Sequence, residues 1–312
     1  MGPGALLIAN PYAGSGAGSA ALRRALDALA ECGWRVEVRE TAARGDASRM
    51  AAEAAASGLE AVLVAGGDGT LNEAIQGLVG SATAIGALPL GTVNVWVREL
   101  GLSLDPAHAA RQLASGQVRR IDLGRANGRY FLLMAGLGPD AEAAATVQGE
   151  DKRRLGVLRL TLAGLAAALR ARGSRLRVLA DGRRFYRLRS AMVTVGNTRL
   201  WAGAFQITDR ASAADGVLDA CFFPGGGPLD KLRQAGLVIL RRHHADPEVT
   251  YLHFRELLVS ARPPLPLHVD GEPYGTTPVR FESAPGALRA LVGPGTAACL
   301  DGAPIEEPTS AP

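Results

Sequence analysis

No apolar run in this chain approaches the roughly 20 residues that a membrane-spanning helix requires, so the sequence offers no candidate span. The opening Met1-Gly-Pro-Gly-Ala-Leu-Leu-Ile8 lacks the basic and long apolar segments of a secretory leader, and the expectation is a cytoplasmic protein. Cys32, Cys221 and Cys299 are odd in number and far apart. No CxxC pair occurs, which argues against a disulfide framework and a thiolate zinc site. The five histidines show no metal spacing. His243-His244, behind Arg241-Arg242, read as a solvated cluster at a helix end. Nucleotide signatures are also missing. Gly14-Ser-Gly-Ala-Gly18 has Ser19 where a dinucleotide fingerprint needs its third glycine. The Gly-Lys-Ser/Thr ending of a P-loop and the His-Arg-Asp loop of protein kinases are absent. There is no internal repeat.

The chain does have bulk: 312 residues, 47% apolar and 21% charged, suffice for two domains with their own cores. The net charge of +4 is uneven, with twelve Lys/Arg against two Asp between Asp151 and Arg189. Such a block suits an anionic partner or a solvated face.

The first third alternates strand and helix. Buried-strand runs (Ala5–Ala9, Ala61–Ala65, Ala84–Leu88) and the alternating Arg35–Arg39 are interleaved with helical spacing at Ala20–Ala30 and Asp46–Ser57, where Asp46 or Ser48 is the candidate cap. Helices also follow the glycine turns, through Leu78 and to Leu100. This pattern predicts a parallel sheet with helices on both faces. After Ile121-Asp-Leu-Gly124 strands succeed one another: Tyr130–Met134, Leu176–Leu179, Phe185–Arg189, Ala191–Val195 and Val217–Phe223. Asp181-Gly182 is a hairpin signal. A leucine-spaced helix, Leu155 to Leu169, intervenes. The second domain is therefore expected to be a mostly antiparallel β-sandwich.

Three glycine-rich turns follow three strands of the first domain: Asn10-Pro-Tyr-Ala-Gly-Ser-Gly16, Gly66-Gly-Asp-Gly-Thr70 and Gly91-Thr-Val-Asn94. In a parallel sheet all lie at the carboxyl edge, where ligands bind, and helix N-termini beyond them favour anions. Asp68, a carboxylate inside a phosphate-type turn, makes sense beside a magnesium ion held between carboxylate and phosphates. From spacing alone it could equally cap the following helix.

Together with Leu71-Asn-Glu73, Pro89-Leu90 before Gly91, and a late Val269-Asp-Gly-Glu272, these motifs resemble the diacylglycerol-kinase catalytic family, in particular its soluble bacterial lipid kinases. Sphingosine kinases are relatives, and NAD kinases distant ones. The likeness runs from about Leu6 to about Val292. It includes Thr41 with Gly45-Asp46-Ala47, Ile121-Asp-Leu-Gly124, Ala135-Gly-Leu-Gly138 with Asp140-Ala141, and Asp215-Gly216.

The resemblance implies a nucleotide-binding α/β domain over residues 1–123, with about 286–300 returning to it, a β-rich lipid-substrate domain over 124–285, and a flexible tail at 301–312. It implies an ATP- and Mg²⁺-dependent kinase acting on a lipid hydroxyl, with diacylglycerol giving phosphatidic acid as the leading reading. A sphingoid-base or other lipid kinase, an NAD kinase and a non-catalytic lipid- or nucleotide-binding protein are the alternatives. Asn10, Pro11, Tyr12, Ala13, Gly14, Thr41, Gly66, Gly67, Asp68, Gly69, Thr70, Leu71, Asn72 and Thr92 would line the ATP site. Glu272 would be the general base and Asp68 its catalytic companion, with Asp122 and Asp270 as supporting acids. A structural Mg²⁺ would sit on Asp215 and the carbonyls of Ser212 and Val217. Two departures stand out. Val95 occupies a position where many relatives carry Asp, and Ala214 replaces another acid.

A kinase of this kind works at the membrane surface without spanning it. Arg175, Arg177, Arg183, Arg187 and Arg189 alternate around Asp181-Gly182, so a hairpin would gather them on one face toward an anionic membrane. Lys152, Arg153 and Arg154 lie nearby in sequence. No nucleic-acid partner is expected, and a homodimer stays open.

Overall fold

The computed structural model describes residues 2–13, 18–139, 173–295, 298–300 and 305–306. Gly14, Asp140, Ala141, the basic triplet at 152–154, the leucine-spaced segment and most of the 301–312 tail lie outside the described residues. The chain forms two compact units. One comprises Met1–Asp122, Ala213–Asp215 and Pro285–Pro312; the other comprises Leu123–Ser212 and Gly216–Ala284.

The first unit runs β1 (Gly4–Ala9), α1 (Gly18–Glu31), β2 (Arg35–Glu40), α2 (Asp46–Ala56), β3 (Ala61–Gly66), α3 (Asp68–Leu78), β4 (Ala84–Pro89), α4 (Val95–Glu99), α5 (Pro106–Ala114) and the start of β5 (Gln117–Ala126). The continuous apolar runs β1, β3 and β4 are buried almost throughout, as strands covered on both faces must be. On α3, Leu71, Ala74, Ile75 and Leu78 recur at i, i+3, i+4 and i+7 and all are buried. The alternating strand β2 is mostly exposed, because it is the sheet edge. Asp105 caps α5, accepting the His108 N–H at 2.9 Å, with Pro106 at the first helical position.

The second unit holds β6 (Arg129–Phe131), β7 (Met134–Leu137), β8 (Ser174–Ala180), β9 (Arg184–Gly196), β10 (Leu200–Trp201), β11 (Phe205–Gln206), β12 (Leu218–Pro224), α6 (Pro228–Ile239), β13 (Thr250–Phe254), β14 (Glu256–Arg262), β15 (Pro266–Val269), β16 (Glu272–Thr276) and the first part of β17 (Val279–Val292). Its pairings are antiparallel: β8 with β9 and β14, β9 with β7 and β12, β15 with β7 and β16. Asp181 and Gly182 both have positive φ, 51° and 65°, the conformation of the tight hairpin that Asp-Gly signals. The runs Phe185–Arg189 and Ala191–Val195 are one strand, β9. Its register against β12 shifts between Phe223 and Pro224, opposite Met192 and Ser190. The run Tyr130–Met134 is two strands, broken at Leu132 and Leu133.

Parallel pairing in the first unit gives the strand order β2-β1-β3-β4, and residues 289 and 290 of β17 complete it beside β4. In this doubly wound order the winding reverses between β1 and β3. The loops leaving their carboxyl ends bound the crevice where such sheets bind ligands.

Candidate active site

The loops after β1 and β3 are tied together across that reversal point. The Asn10 N–H donates to the Ala65 carbonyl at 3.0 Å. The Asn10 side-chain amide donates to Thr70 Oγ1 at 2.9 Å, while its Oδ1 accepts the Tyr12 N–H at 2.9 Å. The turn closes with Ala13 N–H donating to the Asn10 carbonyl at 3.0 Å. Pro11 and Tyr12 are exposed above it. Thr41, just past β2, is buried and joins the same edge by donating its N–H to the Ala9 carbonyl at 2.9 Å.

The loops after β3 and β4 touch backbone to backbone. A Cβ on Gly91 would lie 2.4 Å from Gly67 Cα and 2.7 Å from Asn94 Oδ1, so only glycine fits there. Asn94 takes a left-handed conformation (φ 53°), which asparagine tolerates. Its side chain folds back on Gly91, accepting that N–H at 3.0 Å and donating to the carbonyl at 2.9 Å. Occupied in this way, Asn94 caps nothing, and α4 takes its cap from elsewhere. Asp68 Oδ2 accepts the Val95 N–H at 3.0 Å and Oδ1 accepts the Trp96 N–H at 3.2 Å. Asp68 is thus the cap of α4, one loop away, rather than of its own α3, whose N-cap is Gly67. Burial pushes its carboxyl above the usual carboxylate range, against the lowering effect of the two N–H groups.

Behind Asp68 and Gly69, which open α3, Leu71 and Asn72 are buried, whereas Thr92 is exposed. Glu73, one turn further on, accepts the N–H of Gly45 and, at 3.2 Å, that of Ala47, which caps α2. Asp46 does not cap α2. Its Oδ2 accepts the N–H groups of Ala42 and Ala43, each at 2.9 Å, and so folds the loop that follows Thr41. Asp122 is buried on β5, and its Oδ1 accepts the Gly286 N–H at 2.7 Å.

In the second unit the β15–β16 hairpin carries Asp270 and Glu272. Asp270 (φ 46°) accepts three backbone N–H groups, those of Leu132, Leu133 and Met134, at 2.8, 3.0 and 2.8 Å. It donates its own N–H to the Met134 carbonyl at 2.8 Å. This clamp occupies the break between β6 and β7. Glu272, first residue of β16, accepts a hydrogen bond from Arg129 at 2.9 Å, and the Arg129 guanidinium lies 5.5 Å from the Tyr274 ring centroid. Ser212 and Val217 belong to this unit and Asp215 to the other.

Cross-strand register places Arg175 opposite Arg189 and Arg177 opposite Arg187, all exposed on one sheet face, with Arg183 exposed at the turn. Arg262 of β14 joins them opposite Arg175. Directly opposed like charges cost stability. Among the described residues no acid pairs with Arg175, Arg177, Arg187 or Arg189.

Residues 4–126 match the model of the diacylglycerol kinase catalytic domain, and residues 134–292 that of the YegS C-terminal NAD kinase beta sandwich-like domain. A diacylglycerol kinase of Bacillus subtilis (strain 168) is 29% identical over 282 residues, covering 89% of this chain and 92% of the relative. A Pseudomonas aeruginosa (strain UCBPP-PA14) protein named "Probable lipid kinase YegS-like" is 33% identical over 279 residues, 88% of this chain and 91% of the relative. The chain belongs to the diacylglycerol kinase and YegS-like lipid kinase family. A solved diacylglycerol kinase from Bacillus anthracis str. Sterne has the same fold, with a TM-score of 0.78 at 25% identity over 93% of this chain and 97% of that one.

Members of this family are phosphotransferases with an alcohol acceptor, and the kinase's loops suit that chemistry. Positioned backbone N–H groups and a carboxylate near phosphates are what phosphoryl transfer asks of a protein. Each Asp68 oxygen accepts one N–H and keeps further lone-pair capacity. A single carboxylate fits Mg²⁺, which is held largely by phosphates and waters. Val95 contributes a buried side chain and a backbone donor to Asp68. Glu73, Asn94, Arg129 and Arg262 were not singled out as site residues by sequence reasoning. Glu73 and Asn94 stand inside the quoted motifs, so their position was a usable signal; Arg129 and Arg262 carry none.

Proposed function

We propose that this protein is an ATP- and Mg²⁺-dependent lipid kinase that transfers the γ-phosphoryl group of ATP to the free hydroxyl of diacylglycerol, giving phosphatidic acid. The observation that carries this reading is the locking of three carboxyl-edge loops around the β1/β3 reversal, through Asn10 to Thr70 at 2.9 Å and Asp68 to Val95 at 3.0 Å. In this reading Asn10 to Gly14, Thr41, Gly66 to Asn72 and Thr92 hold the nucleotide, with turn N–H groups toward its phosphates. Asp68 would hold Mg²⁺, which would supply charge neutralisation on the phosphates. Glu272 accepts the proton of the lipid hydroxyl, Arg129 fixes its rotamer, and Asp270 fixes the hairpin that bears it. Asp122 anchors the return of β17. A structural Mg²⁺ would be held by Asp215 and the carbonyls of Ser212 and Val217. The protein works from the cytoplasm, and the exposed arginines, Arg175, Arg177, Arg183, Arg187 and Arg189, rest on anionic headgroups.

A panel of detergent-dispersed lipids with labelled ATP tests this. Label should appear on diacylglycerol only when Mg²⁺ is present. Label on a sphingoid base or on NAD⁺ would move the substrate to those classes, and no transfer to any acceptor would reject the enzyme. Salt-sensitive sedimentation with anionic vesicles, weakened by Arg175→Glu with Arg177→Glu, tests the arginine face.

A further inference from the structure

One helix of the second unit is turned inside out. On α6, Leu229, Leu232, Gly236, Ile239 and the following Leu240 fall at i, i+3, i+7, i+10 and i+11, within about 100° of the helix circumference. Leu229 is 82% exposed, Leu232 64%, Ile239 65% and Leu240 66%. The packed face is the opposite one. Gln234 is buried, and Val238 packs on the cluster of Ile207, Cys221, Phe223 and Val249. A helix that packs through one face and offers four large aliphatic side chains on the other has an unfilled apolar stripe.

The charges nearby identify the occupant. Arg241 and Arg242 follow the stripe and are exposed. The alternation along β9 shows which side of the sheet the stripe shares. Tyr186, Leu188, Val193 and Val195 face the main core, so Arg187 and Arg189 look outward with Met192, which packs in the cluster beneath α6. The glycine pair Gly173 and Gly225 brings the segment leading into α6 alongside Arg189: a Cβ on Gly173 would lie 3.0 Å from Gly225 Cα and 3.2 Å from Arg189 Cγ. The apolar stripe and the arginine face therefore belong to one side of this unit. The acids beside the stripe are engaged, Asp230 by the Gly227 N–H and Glu248 by Arg233, whereas among the described residues no acid pairs with Arg187, Arg189, Arg241 or Arg242, so the unpaired charge at the rim is basic. A second copy would set like charges against each other. An anionic lipid leaflet offers the opposite charge to the rim and hydrocarbon to the stripe, the two components of interfacial helix binding.

We propose that α6 is a membrane-inserting helix. Leu229, Leu232, Ile239 and Leu240 enter the headgroup–acyl boundary of an anionic bilayer, while Arg241 and Arg242 with the neighbouring arginine face hold the phosphates. This rests on the lipid-kinase reading only for its purpose, and the test separates the two. The full chain and its Leu232→Glu, Ile239→Glu variant, both surface changes, are compared on vesicles of phosphatidylcholine with phosphatidylglycerol. At salt high enough to screen the arginines, the variant should bind about tenfold or more weakly. A fluorophore at Leu232→Cys, in a Cys32→Ser background, should shift to the blue on vesicles. Phosphorylation of a short-chain, water-dispersed diacylglycerol should be unchanged, whereas phosphorylation of bilayer-embedded diacylglycerol should fall. Unaltered vesicle binding, or a variant that loses a wild-type dimer while binding vesicles normally, overturns the proposal. Vesicle binding that depends on the stripe in a protein that phosphorylates no lipid leaves the insertion standing and rejects the lipid-kinase reading.

Discussion

Asp68 serves two demands at once, and its titration records the tension between them. It satisfies two N–H groups of α4, yet burial raises its carboxyl above the usual range near about 3.9. With the folded value above the unfolded one, the folded state holds a proton that the unfolded chain has released. The group therefore favours folding fully below the unfolded value, and that contribution is lost as pH rises through the folded value. Nucleotide-free protein should lose melting temperature relative to Asp68→Asn as pH is raised from about 4 to about 7. A constant difference across that range would show that the folded carboxyl is not raised above its unfolded value. Glu272 and Arg129 give a second test. Glu272→Gln should keep its fold and bind ATP while turnover falls by about 10²–10⁴-fold. Arg129→Gln removes the orienting partner and should lower kcat by up to about 10²-fold, with KM for ATP unchanged and partial recovery in Arg129→Lys. Wild-type turnover in Glu272→Gln would remove it from the chemistry.

At the scale of elements, loops do the bracing that helix caps usually do locally. Because Gly67 and Gly91 meet at backbone distance, Gly91→Ala has nowhere to place its methyl group. It should cost about 1–3 kcal/mol, visible as a lower midpoint in denaturant with the slope unchanged. Wild-type stability would mean that the two loops separate freely. The strand-then-glycine rhythm around Ala61–Thr70 and the Asp-Gly turn at 181–182 were legible because each is a contiguous signal, complete within a few residues. The cross-loop caps were not. Asp68 reaches α4 across 27 residues and Glu73 reaches Gly45 across 28, and no local pattern encodes a partner that the fold alone brings near. His243 failed for the same reason. Beside two arginines it read as solvated, but it is fully buried, with Nε2 2.7 Å from the Ile207 carbonyl. The hairpin arginines were legible by alternation. Arg262 was not, since its strand arrives some 70 residues later.

At the scale of the whole molecule, neither unit is one stretch of chain. The first takes in residues 213–215 and a segment from Pro285 onward as well as 1–122, and β4 is paired in parallel with Arg289 and Ala290. A protein stopped after residue 126 would leave that edge of β4 open, and exposed strand edges recruit other chains. It should therefore be aggregated or insoluble, and rejoining 285–292 through a flexible linker should recover monomer by size-exclusion chromatography. A soluble, monomeric 1–126 fragment would show that the returning strand is dispensable. The same arrangement sets a clock on biosynthesis. Roughly 200 residues separate Ile85 from its partner Ala290. At about 5–20 residues per second the ribosome needs about 10–40 s to deliver it. For that interval the first unit of the nascent chain waits with an unfinished sheet, and chaperone occupancy should be greatest between the emergence of β4 and that of β17.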